Sequence, residues 1–248
     1  MFHRIDSPDA PLLSATAQLP PLPSGEDVPH AELFASTRHG CGAAMALAFA
    51  LDRQRAAAPD PLADMPDQRA WLWVQDRQAL RHSGRPYRPG LPHALRHRLI
   101  HVAADNAQDA LFALEEGLRC RDLAFVIGEI TGNPKALSFT AQRRLSLAAE
   151  RHGTPLWLVR LDAARDLSSA RLRWQVAPAP SSPPRWNAQA PGMPRWRAEL
   201  FRARRYPPGE WMLELREGQV TIRPEERLSK APEGASSKAR LEGRTVSC

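Results

Sequence analysis

The sequence predicts an α/β protein, with a mainly parallel central sheet flanked by helices and an antiparallel C-terminal extension. Between residues 31 and 161, strand-like and helix-like segments alternate four times, the pattern of a parallel sheet with helices on both faces. Asp122 to Gly128 (DLAFVIG) is a near-continuous apolar run, as expected of a central strand buried on both faces. After residue 170, apolar residues recur with period two, as in half-covered antiparallel strands.

The elements follow in order. Residues 1–30 hold six prolines and little apolar periodicity, so they read as an extended arm. Ala31 to Ala35 (AELFA) is strand-like, and the apolar block after Gly42 is a helix buried between layers. Residues 56–67 form a proline-broken loop, Trp71 to Val74 (WLWV) a strand, residues 84–92 a loop and Leu99 to Ala103 (LIHVA) a strand. Asp105 is placed to cap a helix whose apolar residues, Ala107, Ala110, Leu111, Leu114 and Leu118, recur at helical spacing. Thr140 or Ser138 opens the next helix, and Gly153 then Pro155 close it before the strand Leu156 to Leu161. Ala170 to Val176, Trp196 to Arg202 and Trp211 to Arg216 read as strands, with Gln219 to Ile222 a last short one. Residues 177–194 are a second proline-rich loop, and Pro207-Pro208-Gly209 is a turn. The core is thus expected over residues 31–222. Residues 223–248, nearly devoid of large apolar side chains, are expected to be a disordered tail.

Composition narrows the function classes. The chain has 248 residues, 43% of them hydrophobic and 25% charged, ordinary for a globular domain. No apolar stretch approaches the length of a membrane span, and the first residues lack a secretion pattern. Cys41, Cys120 and Cys248 form no CxxC pair, which suggests a reducing cytoplasm rather than a disulfide framework. The net charge of +7 is carried by arginine, the only lysines being Lys135, Lys230 and Lys238. That balance permits nucleic-acid contact without establishing it, and a coding bias would produce it equally.

Glu32 to Met45 (ELFASTRHGCGAAM) stands where a strand, a turn and a buried helix would cradle nucleotide phosphates. Such a loop needs glycines for close backbone approach, a lysine for the phosphates and a hydroxyl for magnesium. With Gly40 as the last loop glycine, the first glycine is Ala35, the lysine is Cys41 and the hydroxyl position is Gly42. Arg38 would sit mid-loop. A weak anion site on the helix N-terminus and an ordinary strand-to-helix turn both fit. At the end of the central strand, where an acidic residue would hold magnesium, stands Gly128. Glu129 follows; a displaced carboxylate is one reading there, but with its metal partner across the site gone it reads as a solvated loop residue. No catalytic residue, cofactor or metal ligand is therefore expected.

These segments together resemble the ImuA family of bacterial mutagenesis cassettes. The carrying stretches are AELFASTRHGCGAAMALAFALDR, WLWVQDRQALRHSGRPYRPGL, LIHVAADNAQDALFALEEGLRCRDLAFVIGEI and LSFTAQRRLSLAAERHGTPLWLVR, continued by SSARLRWQV and WRAELFRARRYPPGEWMLEL. They cover about residues 31 to 216. The resemblance implies a RecA-like fold, with Arg204, Arg205, Pro208, Gly209 and Trp211 matching the closing hairpin of such cores. It further implies a non-enzymatic accessory of damage-induced (SOS) translesion synthesis, cytoplasmic and nucleoid-associated during damage. The implied partners are an ImuB-like Y-family polymerase paralogue and a DnaE-type error-prone polymerase, with RecA and single-stranded DNA as further contacts. An ATPase of the same fold and a SulA-like cell-division inhibitor are the alternatives.

Three other constellations are open to two readings each. His93, His97 and His101 are four apart, but a strand at Leu99 breaks the helical register a metal site needs. Cys41 at a helix start is either a stabilised thiolate or a small buried filler. Arg185, Arg195, Arg197, Arg202, Arg204 and Arg205 interleave with Trp186, Trp196, Phe201 and Tyr206. This pattern suits single-stranded DNA. It equally suits a partner surface, or a strand with Arg195, Arg197 and Glu199 on its solvated face and Trp196 and Phe201 in the core.

Overall fold

The computed structural model describes residues 29–56, 67–181, 183–216 and 219–223. The expected arm, residues 1–30, lies outside them except at its last two positions, and the expected tail except at its first. Strand β1 is His30–Ala35, helix α1 Cys41–Ala56, β2 Ala70–Gln75 and α2 Arg77–Ser83. Helix α3 is the single turn His93–Arg96, followed by β3 Leu99–Ala103, α4 Ala107–Arg119 and β4 Leu123–Thr131. Helix α5 (Phe139–His152) and β5 (Leu156–Leu161) complete the alternating part. Strands β6 (Leu172–Ala179), β7 (Arg195–Ala203), β8 (Gly209–Arg216) and β9 (Gln219–Arg223) follow.

The nine strands form one mixed sheet in the order β3-β2-β4-β5-β1-β6-β7-β8-β9. All pairs from β3 through β6 are parallel, and β6–β7, β7–β8 and β8–β9 are antiparallel. The fold is therefore α/β, with the antiparallel strands at its C-terminal side. Alternation along β2, β4 and β5 divides their apolar side chains between two cores, while the clustered apolar residues of β1 and β6 join only the α1-side core. Met45, Phe49, Ala79 and Leu95, from α1, α2 and α3, pack with Leu33, Trp71, Trp73, Phe125 and Trp157. On the other face Leu114 and Leu118 of α4 and Leu145 of α5 pack with Val74, Val126 and Leu158. Among the described residues no helix is long and apolar enough to cross a membrane.

The caps refine the expected boundaries. Asn106, not Asp105, accepts from the Asp109 amide and opens α4, while Ser138 rather than Thr140 opens α5. Gly153 closes α5 in the left-handed region, φ 71°. Strand β6 runs through Ala179, so the proline-rich connection starts later than residue 177. Helix α2 buries only Ala79, too little for an apolar period to reveal it. Asp76 caps it, and its second carboxylate oxygen accepts from the Thr131 amide at 3.0 Å, tying α2 to β4.

The α5 side of β1 carries an ionic cluster. Glu32 is fully buried and accepts from Arg173 Nε at 2.7 Å and Arg160 Nη1 at 3.3 Å. Asp166 lies 3.5 and 3.7 Å from the same two guanidiniums. Beside them His30 Nδ1 meets Ser146 Oγ at 2.7 Å, which in turn meets Ser169 Oγ. Burial, followed by the nearby arginines acting against the Glu32 charge, pushes the His30 pKa down to about 4.

Candidate functional site

At the turn between β1 and α1, read from the sequence as a degenerate phosphate loop, the exposed carboxylate of Asp162 lies against Thr37. Asp162, just past β5, accepts from the Thr37 amide at 3.2 Å and from the Thr37 hydroxyl at 2.5 Å. Its own amide bonds to the Ala35 carbonyl. These bonds, the hydroxyl first, hold the Asp162 carboxyl below the usual carboxylate range. An anion arriving at the Thr37 amide would therefore meet a negative charge already bonded to it. Arg38 and Gly40 are exposed, and Gly40, the last residue before α1, takes the left-handed conformation, φ 57°.

The two positions after Gly40 are packed against the sheet. Cys41 is 6% exposed, with Sγ 4.0 Å from the Val176 carbonyl, and burial pushes its thiol pKa up. That favours the buried filler over a stabilised thiolate. A Cβ at Gly42 would lie 2.6 Å from Val159 Cγ1 and 2.9 Å from the Ala35 Cβ. A hydroxyl-bearing residue does not fit there unless β1 or β5 shifts.

The acidic-strand position requires a correction. Glu129 is not a solvated loop residue, because β4 continues to Thr131 and Glu129 is 1% exposed. It points to the α1 side, where Trp73 Nε1 donates to Oε1 at 2.7 Å and Gln75 Nε2 lies at 3.4 Å. Desolvation outweighs these two bonds and pushes its pKa up to about 7. Gln75 continues the chain of contacts to His101 Nε2 at 2.8 Å. A side chain at Gly128 would instead point to α4, with its Cβ 2.9 Å from Leu114. The apolar residues on both sides of Glu129 were the available sign of its burial. The Trp73 indole, 56 positions away in sequence, was not readable.

The histidine row is split. The rings of His93 and His97 stand 5.9 Å apart at the α3 turn, while His101 on β3 turns to Gln75. Among the described residues no group of three or more His, Cys, Asp or Glu side chains could hold a metal ion.

On β7 the period-two reading places the arginines. Trp196, Ala198 and Leu200 face the α1-side core, while Arg195, Arg197 and Glu199 share the opposite face. Arg195 pairs with Glu214 at 3.4 Å and Arg197 with Glu210 at 3.0 Å across to β8. Phe201 does not join Trp196; it packs edge-on against Phe34, with the Arg165 guanidinium 4.0 Å over its ring. Arg202, Arg204 and Arg205 are exposed.

No family model matches the chain. Over 163 residues it is 36% identical to Protein ImuA of Caulobacter vibrioides strain NA1000 / CB15N, and equally to Protein ImuA of strain ATCC 19089 / CIP 103742 / CB 15. Each match takes in 60% of this chain, which spans 61% of the length of those relatives. Joined to the α/β sheet and the order of its motifs, this identity supports membership of the chain in the ImuA family.

Proposed function

We propose that this chain is a non-catalytic, RecA-like accessory protein of damage-induced mutagenic translesion DNA synthesis. The observation that carries the reading is the 36% identity to Protein ImuA. The turn after β1 supports the non-catalytic part. Asp162 takes the Thr37 amide, Cys41 lies under the helix, and Gly42 has no room for a side chain. With no nucleotide cycle to drive, the chain acts by surface recognition. The partner is an ImuB-like polymerase paralogue, and through it a DnaE-type polymerase, with RecA as a further contact. The protein works in the cytoplasm, at the damaged nucleoid. The core, residues 31–222, binds together with at least one of its extensions, the proline-rich arm 1–30 or the tail 223–248, and the exposed Arg202, Arg204 and Arg205 add a charged contact surface.

Co-purification tests this. Full-length protein from damaged cells should bring down the ImuB-like partner, and a 31–222 variant should recover it poorly. Equal recovery would place recognition on the core. Recovery by neither, with both proteins folded, would overturn the reading, and saturable magnesium-dependent ATP binding would overturn its non-catalytic part.

A further inference from the structure

Six of the seven tryptophans are 8% exposed or less, and the seventh, Trp186, is 81% exposed. It sits in the connection from β6 to β7, with prolines at 183, 184, 191 and 194 restricting the backbone around it. The loop lies over β8, and a groove of ≈ 590 Å³ opens between them, lined by Trp186, Arg185, Met193, Glu214 and Arg216. Glu214, 3% exposed, is shared by Arg195 at 3.4 Å and Arg216 at 2.9 Å. One carboxylate thus lies between two guanidiniums, and Arg185 beside the indole is exposed. Residues 183–216 hold seven arginines against three glutamates, a net +4 out of +7 for the whole chain.

We propose that Trp186 is a stacking platform for single-stranded nucleic acid, with Arg185 and Arg216 meeting the phosphates on either side. An indole left in water carries a large unused apolar face, and every base offers a matching π-face. A positively charged groove supplies the sequence-independent attraction to the backbone. A loop stiffened by prolines loses little entropy when a base stacks on it. A protein hot spot would instead call for an apolar surround, whereas among the described residues lining the groove the apolar side chains beside Trp186 are Met193 and the prolines.

Purified full-length protein and an oligonucleotide suffice for the test, so a failed partner pull-down leaves this inference standing. The probe is oligothymidylate of roughly 16 nucleotides, the upper end of common single-strand site sizes. Because the other six indoles are buried, quenching of the red-shifted tryptophan emission reads Trp186 directly. Saturable, salt-sensitive quenching is expected, with oligouridylate binding comparably and duplex DNA more weakly. Trp186→Ala should weaken binding of a labelled oligonucleotide about tenfold, and Trp186→Tyr should restore most of it. Arg185→Ala and Arg216→Ala should each lower the slope of log affinity against log salt by about one. Wild-type affinity in Trp186→Ala, or saturation without quenching, would overturn the assignment. Protection of Trp186 by the ImuB-like partner alone, with no oligonucleotide binding at low salt, would overturn it in favour of a protein contact.

Discussion

Glu129 and His30 impose opposite pH dependences on the same fold, and separating them is a sharp test of the buried network. Glu129 titrates at an ordinary 4.5 in the unfolded chain and at about 7 in the folded one. Between those values the folded state holds the extra proton, so stability falls as pH rises, by about 3 kcal/mol in all. It is fully present below 4.5 and lost by about 7. His30 runs the other way, from 6.5 unfolded to about 4 folded. There the unfolded state holds the extra proton, so stability rises with pH across that window, again by about 3 kcal/mol. In the wild type the two slopes offset each other where the windows overlap. Glu129→Gln removes one of them. Gln keeps an oxygen for the Trp73 indole and cannot ionise. Urea denaturation of both proteins across the two windows gives the variant-minus-wild-type difference, which cancels every other titrating group. That difference should shift by about 3 kcal/mol in favour of the variant from below pH 4.5 to above pH 7. The variant alone should gain stability steadily from about pH 4 to 6.5, the His30 contribution unmasked. Parallel curves for the two proteins would refute the desolvated carboxylate.

Three further outcomes follow from the packing. Glu32→Ala removes the buried carboxylate between the Arg160 and Arg173 guanidiniums, leaving them the half-exposed Asp166, and should cost about 3–5 kcal/mol in chemical denaturation; a loss under ~1 kcal/mol would refute the cluster's burial. Gly42→Thr should destabilise by about 1–3 kcal/mol through overpacking against Val159 and Ala35, as read by Tm, and an unchanged Tm would show that β1 and β5 yield freely. Cys41→Lys combined with Gly42→Thr should give no ATP binding by calorimetry, since position 41 points into the sheet; binding would show that the turn opens.

Most of the sheet was legible because its strands differ in how they are covered. The strands at β3, β4 and β5 were placed to within a few residues, as continuous apolar runs bounded by turn residues. The antiparallel set showed in period-two alternation, with Arg195 and Arg197 on one face and Trp196 on the other. What escaped depends on contacts distant in sequence. Glu32, Arg160 and Arg173 come from three strands and meet only in the folded sheet, so no local pattern marks them as a cluster. Glu129 was assigned to the wrong environment because its partner indole sits on a different strand. The turn after β1 was read from what it lacks, while the side chain that bonds to it, Asp162, comes from 125 residues downstream.

Asp162 also ties the turn after β1 to the end of β5. Asp162 is the described non-glycine residue with a positive φ, 47°, a conformation tolerated by Asp but still paid for in backbone strain. Two bonds from Thr37 to its carboxylate and one from its amide to Ala35 hold it there. The strain and the bonds belong together: they fix the Asp162 carboxylate against Thr37. Asp162 itself is exposed, whereas Glu129 is sealed behind Trp73 within the sheet. On the antiparallel side Arg185, Trp186, Arg202 and Arg204 are exposed. The stacking platform proposed at Trp186 lies on this side, in the connection between β6 and β7.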